Sequence, residues 1–240
     1  MAYQMSRLII GPGLRLLARI DVSGAENVPG SGGAILASNH LSVLDSFYLP
    51  LVLERHVTFA AKSEYFTGKR PAERIAGLYL RATGQLSVDR AGARAAQEML
   101  ESALALLKDG ALFGIYPEGT RSPDGRLYRG RTGIGWLALN SGVPVIPVAM
   151  VGTDRLLPPG SRIPRPGRIG IRMGKPLRFD EFVGQPAGAR QRRAVTDRVV
   201  EAIGELSGQE YVPMYASARK EQLAAEQLAA ERAATRPGRR

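Results

Sequence analysis

From residue 33 onward, short apolar runs rich in branched residues alternate with longer segments whose apolar positions recur every three or four residues. The runs GAILAS, VTFAAK, QLSV, ALFGIY, VPVIPVAM and RIGIRM read as strands. Between them, SVLDSFYLPLVL, ERIAGLYL, ARAAQEMLESALALLKD and TGIGWLALNS read as helices, and residues 187–207 as a terminal helix. This alternation predicts an α/β fold, a single domain with a mixed, mostly parallel sheet flanked by helices. Gly110 and Gly142 stand where helix ends call for a left-handed residue. The run from Val143 carries Pro144 and Pro147, and proline within a strand predicts that one side of it is left open.

The N-terminal segment MAYQMSRLIIGPGLRLLARI has a helical period. Arg7, Arg15 and Arg19 fall in one sector, and Met5, Ile9, Leu16, Leu17 and Ile20 in the opposite one. Gly11-Pro12-Gly13 predicts two short helices in place of one rod. Such a basic amphipathic arm suits an anionic membrane surface; an arm packed on its own domain is the alternative. The expected organisation is an arm over residues 1–21, an α/β domain over 22–212, and a charged helical or disordered tail over 213–240. The near-repeat EQLAAEQLAAERAA makes no continuous apolar seam, so the tail is assigned no chemistry.

Charge narrows the partners. The 33 basic and 22 acidic residues give a net charge of +11, which calls for an acidic partner: nucleic acid, anionic lipid, a phosphorylated substrate or an acidic protein. Arginine supplies 28 of the bases, which suits bidentate phosphate contacts, although a GC-rich genome gives the same bias. Residues 155–178 hold seven bases and no acid. The chain has no cysteine, which excludes disulfides, thiolate metal sites and a cysteine nucleophile, and fits a reducing cytoplasm. No stretch approaches the ~18 to 20 apolar residues that a spanning helix needs. Arg15 and Arg19 interrupt any signal-peptide pattern, so a protein lying on the bilayer is expected.

Four stretches carry candidate chemistry. In SNHLSVLD, which follows the strand GAILA, His40 and Asp45 can meet only if a turn separates them, and Ser42 is a plausible helix N-cap that provides one. Asp45 would then orient the imidazole and stabilise its protonated form, leaving the neutral ring to accept a proton from a substrate hydroxyl. Equally, Ser42 and Asp45 match a capping box, with His40 merely a loop histidine. In YPEGTRS, beyond the strand ALFGI, Glu118 offers a carboxylate to hydroxyls, Gly119 lets backbone approach a ligand, and Arg121 offers a fork matched to phosphate. Asp89-Arg90 closes GQLSVDR in the same way. The fourth stretch is VPVIPV. His56, the remaining histidine, is read as structural or surface.

In this order, NHLSVLD, GQLSVDR, YPEGTRS and VPVIPV resemble the four blocks of the glycerolipid acyltransferases, the group that contains the lysophosphatidic acid acyltransferases. The blocks lie between residues 39 and 148, and the likeness extends loosely over 22–178. The resemblance implies transfer of a fatty acyl group from acyl-CoA or acyl carrier protein to the sn-2 hydroxyl of a lysophospholipid, by direct attack and without an acyl-enzyme. It implies His40 as general base and Asp45 as its partner, with Lys62, Arg90, Glu118, Gly119, Thr120 and Arg121 binding the acceptor. Backbone N–H groups near Gly119 or after His40 are candidates for the oxyanion. No metal and no cofactor beyond the acyl carrier is implied. The expected partners are the lysophospholipid, the donor and an anionic membrane at the cytoplasmic face. Glycerol 3-phosphate, a lyso-aminolipid or a glycosylated phosphoinositide are alternative acceptors. A nucleic-acid-binding module is disfavoured, because aromatics are only 6% and no such motif is present.

Overall fold

In a computed structural model, the described residues are 2–64, 74, 77, 78, 80, 81, 83–88, 92–158, 161, 163–182, 185 and 187–234. The elements run α1 (Ala2–Leu17), β1 (Ala18–Ser23), β2 (Ala34–Ser38), α2 (Asp45–Val52), β3 (Val57–Lys62), β4 (Leu86–Val88), α3 (Ala93–Lys108), β5 (Leu112–Ile115) and β6 (Leu127–Tyr128). They continue with α4 (Gly133–Ser141), β7 (Val145–Val151), α5 (Thr153–Leu156), β8 (Gly167–Met173), α6 (Ala189–Ser207), β9 (Tyr211–Val212) and α7 (Ala216–Ala234). All six expected strands are present. Of the expected helix ERIAGLYL, half the residues lie outside those described; Arg74, Gly77, Leu78 and Leu80 are described, in helical conformation.

Seven strands form one sheet in the order β1-β8-β7-β2-β5-β3-β4, parallel throughout except where β7 meets β8. Successive β2 side chains serve opposite faces. Leu36 packs with Tyr48, Leu49 and Leu51 of α2, whereas Ile35 and Ala37 pack with Leu107 of α3, Ile134 and Leu137 of α4 and Val199 of α6. Because β2 is covered on both sides, its five residues are all buried, which is why it reads as a continuous apolar run.

Three expectations about elements are corrected. The first concerns β7, which is central, lying between β2 and β8. Pro147 is tolerated because the opening is local: Val148 pairs with Met173 and Val145 with Leu177, leaving one extra residue on the β8 side. The Pro147 carbonyl still accepts the Gly174 N–H at 2.8 Å.

Secondly, α1 is a single helix with Pro12 inside it. Gly11 lies against Leu51, where a Cβ would come within 3.1 Å of the Leu51 side chain, and the Tyr48 hydroxyl donates to the Leu14 carbonyl at 3.0 Å. These contacts with α2 support the helix through the break that Gly-Pro-Gly predicts. Residues 18–20 belong to β1, so the expected boundary at 21 divides a strand of the sheet.

Finally, the C-terminal segment is helical over Ala216–Ala234, one of the two expected readings, but its start is packed into the fold. β9 pairs with β6, and Ala216 is fully buried at the start of α7. Arg129 and Arg131 lie over the Tyr215 ring at 5.6 and 5.2 Å from its centroid, and Arg131 donates to the Ser217 hydroxyl at 3.2 Å. His56 is structural as expected, its Nε2 donating to the Thr83 carbonyl at 2.6 Å.

Candidate active site

Parallel strands gather the loops that follow them at one edge of the sheet, where open α/β folds bind ligands. The turn after β2 carries His40, the loop after β5 carries Tyr116 to Arg121, Thr153 follows β7, and Lys62 ends β3. Arg90 lies outside the described residues.

His40 Nδ1 and Asp45 Oδ2 are 2.9 Å apart. Asp45 is fully buried and accepts four hydrogen bonds: its Oδ2 also takes the N–H groups of Leu41 and Ser42 at 2.8 and 2.9 Å, and its Oδ1 takes the Thr153 hydroxyl at 2.5 Å. The Ser42 hydroxyl in turn accepts the Leu44 N–H at 3.3 Å. The helix itself starts at Asp45, with Leu44 in the N-cap position and no side chain capping it, so Ser42 is not the N-cap that the sequence predicts, and the Asp45 carboxylate serves both the His40 ring and the turn ahead of the helix. A carboxylate offers only acceptors, so in the neutral ring Nδ1 carries the proton and Nε2 the lone pair. Among the described residues Nε2 has no hydrogen-bond partner, and His40 lines a cavity of about 670 Å³.

Tyr116 fixes the ring from one side. It stacks on His40 with centroids 3.8 Å apart and planes 11° from parallel, while its hydroxyl shares a 2.8 Å hydrogen bond with Ser46. Burial, followed by the nearby Asp45 charge, pushes the phenol well above its ordinary pKa of 10.0, so this hydroxyl is neutral.

Glu118 differs from the expectation that it binds hydroxyls. Only 1% exposed, it accepts the His40 N–H at 3.2 Å and the Tyr128 N–H at 2.9 Å, so both oxygens are taken by backbone. Burial raises its pKa from 4.5 to about 7 in spite of those donors. It anchors the His40 turn to the loop after β5, a link reinforced by the Ser122 N–H donating to the His40 carbonyl at 2.7 Å.

Gly119 has φ +72 and its N–H closes a turn onto the Tyr116 carbonyl at 2.9 Å. A Cβ there would meet the Arg131 side chain at 2.9 Å. Of the expected oxyanion donors, the N–H groups of Leu41 and Ser42 are engaged by Asp45 and that of Gly119 by the Tyr116 carbonyl. Arg121 is exposed, and the Thr120 hydroxyl accepts from Lys220 Nζ at 2.6 Å.

The cavity beside His40 is mostly apolar, formed by Phe59, Met99, Leu100, Phe113 and Ile134 among others, and it ends at Gly119 and Arg131. Gly114 makes room for Phe59, since a Cβ on it would come within 2.3 Å of that ring. Sequence reasoning missed Thr153, Asn39 and Lys220. Asn39 exchanges two hydrogen bonds with the Met150 backbone, at 2.9 and 2.7 Å, and so extends the β2–β7 pairing beyond Ser38. Thr153 had a signal, a polar Gly-Thr-Asp directly after a long apolar strand; Lys220 had none.

A mostly parallel sheet with a buried carboxylate hydrogen-bonded to a histidine at its C-terminal edge puts the candidate site where open α/β folds bind ligands. The profile of the family described as acyltransferase matches residues 19–151, and the chain belongs to that family. It is 34% identical to the chloroplastic 1-acyl-sn-glycerol-3-phosphate acyltransferase LPAT1 of Arabidopsis thaliana, over 66% of this chain but only 44% of that protein. With the 1-acyl-sn-glycerol-3-phosphate acyltransferase of Bacillus subtilis it shares 28% identity over 80% of this chain and 90% of the other. The crystal structure of the 1-acyl-sn-glycerophosphate (LPA) acyltransferase PlsC from Thermotoga maritima matches with a TM-score of 0.62 at 28% identity, covering 84% of this chain and 79% of that one. The chain thus spans about half the length of the plant relatives and most of the bacterial ones.

Proposed function

We propose that this protein transfers a fatty acyl group from a thioester, acyl-CoA or acyl carrier protein, to the sn-2 hydroxyl of 1-acylglycerol 3-phosphate, giving phosphatidic acid. The observation that carries the proposal is the His40–Asp45 pair opening on an apolar cavity. The cavity suits a fatty chain, and the arginines beside Gly119, Arg131 in its lining and Arg121 in the same turn, suit a phosphate. His40 Nε2 takes the proton of the hydroxyl as its oxygen attacks the thioester carbonyl. The tetrahedral intermediate then expels the carrier's sulfur, and the imidazolium returns the proton to that thiolate. Asp45 stabilises the imidazolium between the two steps. The names borne by the bacterial and plant relatives support this acceptor.

We read α1 as a peripheral anchor at the cytoplasmic face of an anionic membrane, and nucleic acid has no part in the reaction. Ile10, Leu14 and Leu17 turn toward the domain, whereas Leu8, Ile9 and Leu16 are 76, 75 and 89% exposed beside Arg15. Among the described residues no helix is long and apolar enough to cross a membrane.

The testing experiment is thiol release from oleoyl-CoA with lysophosphatidic acid as acceptor, in a cysteine-free protein that contributes no thiol of its own. Release should require the acceptor, and fall about 10³-fold or more in His40→Ala and about 10²-fold or more in Asp45→Asn. Equal rates in wild type and His40→Ala would refute the dyad. Silence with lysophosphatidic acid, but release with glycerol 3-phosphate, a lyso-aminolipid or a glycosylated phosphoinositide, would reassign the acceptor.

A further inference from the structure

The turn of Gly119, Thr120 and Arg121 is met by basic side chains from two distant parts of the chain. Arg131, following β6, lies against Gly119 and lines the cavity that holds His40. Lys220, in the second turn of α7, reaches Thr120, its Nζ donating to the Thr120 hydroxyl at 2.6 Å. Lys220 is half-buried, and among the described residues no carboxylate pairs with it. Its neighbour Arg219, by contrast, is paired with Asp124 and Glu226.

Burial and the adjacent Arg121 charge lower the pKa of Lys220, while Glu118 opposes them. The fold therefore holds the half-buried Lys220 ammonium on Thr120, the residue directly before the exposed Arg121. Two basic side chains converging on one turn suit an anion, and an ammonium together with a guanidinium fork suits a phosphate monoester.

We propose that Lys220 of α7 and Arg121 together bind the phosphate of the acceptor, so that the C-terminal helix completes the acceptor site. The proposal rests on the acyl-transfer reading for the identity of the ligand, but the anion site can be measured without turnover. Lys220 is a binding residue, and its bond to Thr120 positions the ammonium until the phosphate arrives.

The test compares wild type, Lys220→Gln and Lys220→Arg in steady-state kinetics with oleoyl-CoA and 1-oleoylglycerol 3-phosphate, alongside the rise in Tm produced by glycerol 3-phosphate. Loss of one charge-assisted phosphate contact should raise the acceptor KM of Lys220→Gln about tenfold or more. Its kcat and donor KM should change far less, the glycerol 3-phosphate shift should disappear, and Lys220→Arg should recover most of both. An acceptor KM and thermal shift equal to wild type in Lys220→Gln overturn the proposal. So does a fall in ligand-free Tm and in all kinetic constants together, since Lys220 would then only fasten α7. If wild type acylates nothing yet shows a Lys220-dependent thermal shift, the phosphate site stands and the acyl-transfer reading falls. Silence in both assays removes both.

Discussion

Glu118 is the residue whose environment has the clearest thermodynamic consequence. In the unfolded chain its carboxyl titrates near 4.5, and in the folded protein at about 7. The folded state therefore holds one more proton across that interval. Its contribution to stability is complete below about 4.5 and is lost as pH rises through about 7, by about 3 kcal/mol at most. Glu118→Gln should remove this fall, so denaturant unfolding at pH 5 and pH 8 should differ less in the variant than in wild type. An equal difference in the two proteins would assign the pH dependence to other groups. The same residue shows a limit of motif reading. A glutamate next to Gly119 in a loop at a sheet edge looks available to ligand, but both its oxygens are occupied by the backbone of His40 and Tyr128. The Tyr128 partner arises only when β6 folds back under the loop.

Among the elements, α1 shows how one helix can satisfy two readings that looked exclusive. Its inner side is buried by Leu14 and Leu17 against the core that contains Tyr48 and Leu51, and its outer side leaves Leu8, Ile9 and Leu16 in solvent. Exposure of three large apolar side chains on one stripe is costly unless something covers it, and a lipid interface does so. Replacing all three by serine should weaken flotation with anionic vesicles about tenfold or more, with Tm unchanged because none of them packs on the core. Undiminished flotation would shift the role to the basic run at 155–178. Part of that run is already committed: Arg172 in β8 donates to the Leu206 carbonyl at 2.9 Å. The helix C-termini were legible from local chemistry alone. Gly110 and Gly142 have φ of +84 and +65, the left-handed geometry that a side chain resists. β1 was not legible, since ARIDVS is an edge strand exposed along much of its length and continues an apolar helical period without punctuation.

At the scale of the whole molecule, the sheet, α3 and α4 together enclose the cavity beside His40. Its size should set which acyl chains are used. Ala60 of β3 lines it and is half-buried, so Ala60→Phe fills part of the volume with little strain on the strand. Transfer from oleoyl-CoA should then fall about tenfold relative to transfer from octanoyl-CoA, measured as the ratio of kcat/KM values. An unchanged ratio would mean that the acyl chain lies elsewhere.

The sequence by itself determined the α/β alternation, the helix ends, and the turn that brings His40 to Asp45 over five residues. Each of these is a short-range demand of backbone geometry, written in the residues that meet it. Tertiary structure alone decided that β7 is central despite Pro147, that Thr153 closes the far side of Asp45, that Tyr116 stacks on His40, and that Lys220 stands beside Thr120. These contacts join positions 76 to 108 residues apart, or depend on strand order. Such partners leave no period or spacing in the chain, and they meet only because the sheet stacks its C-terminal loops along one edge.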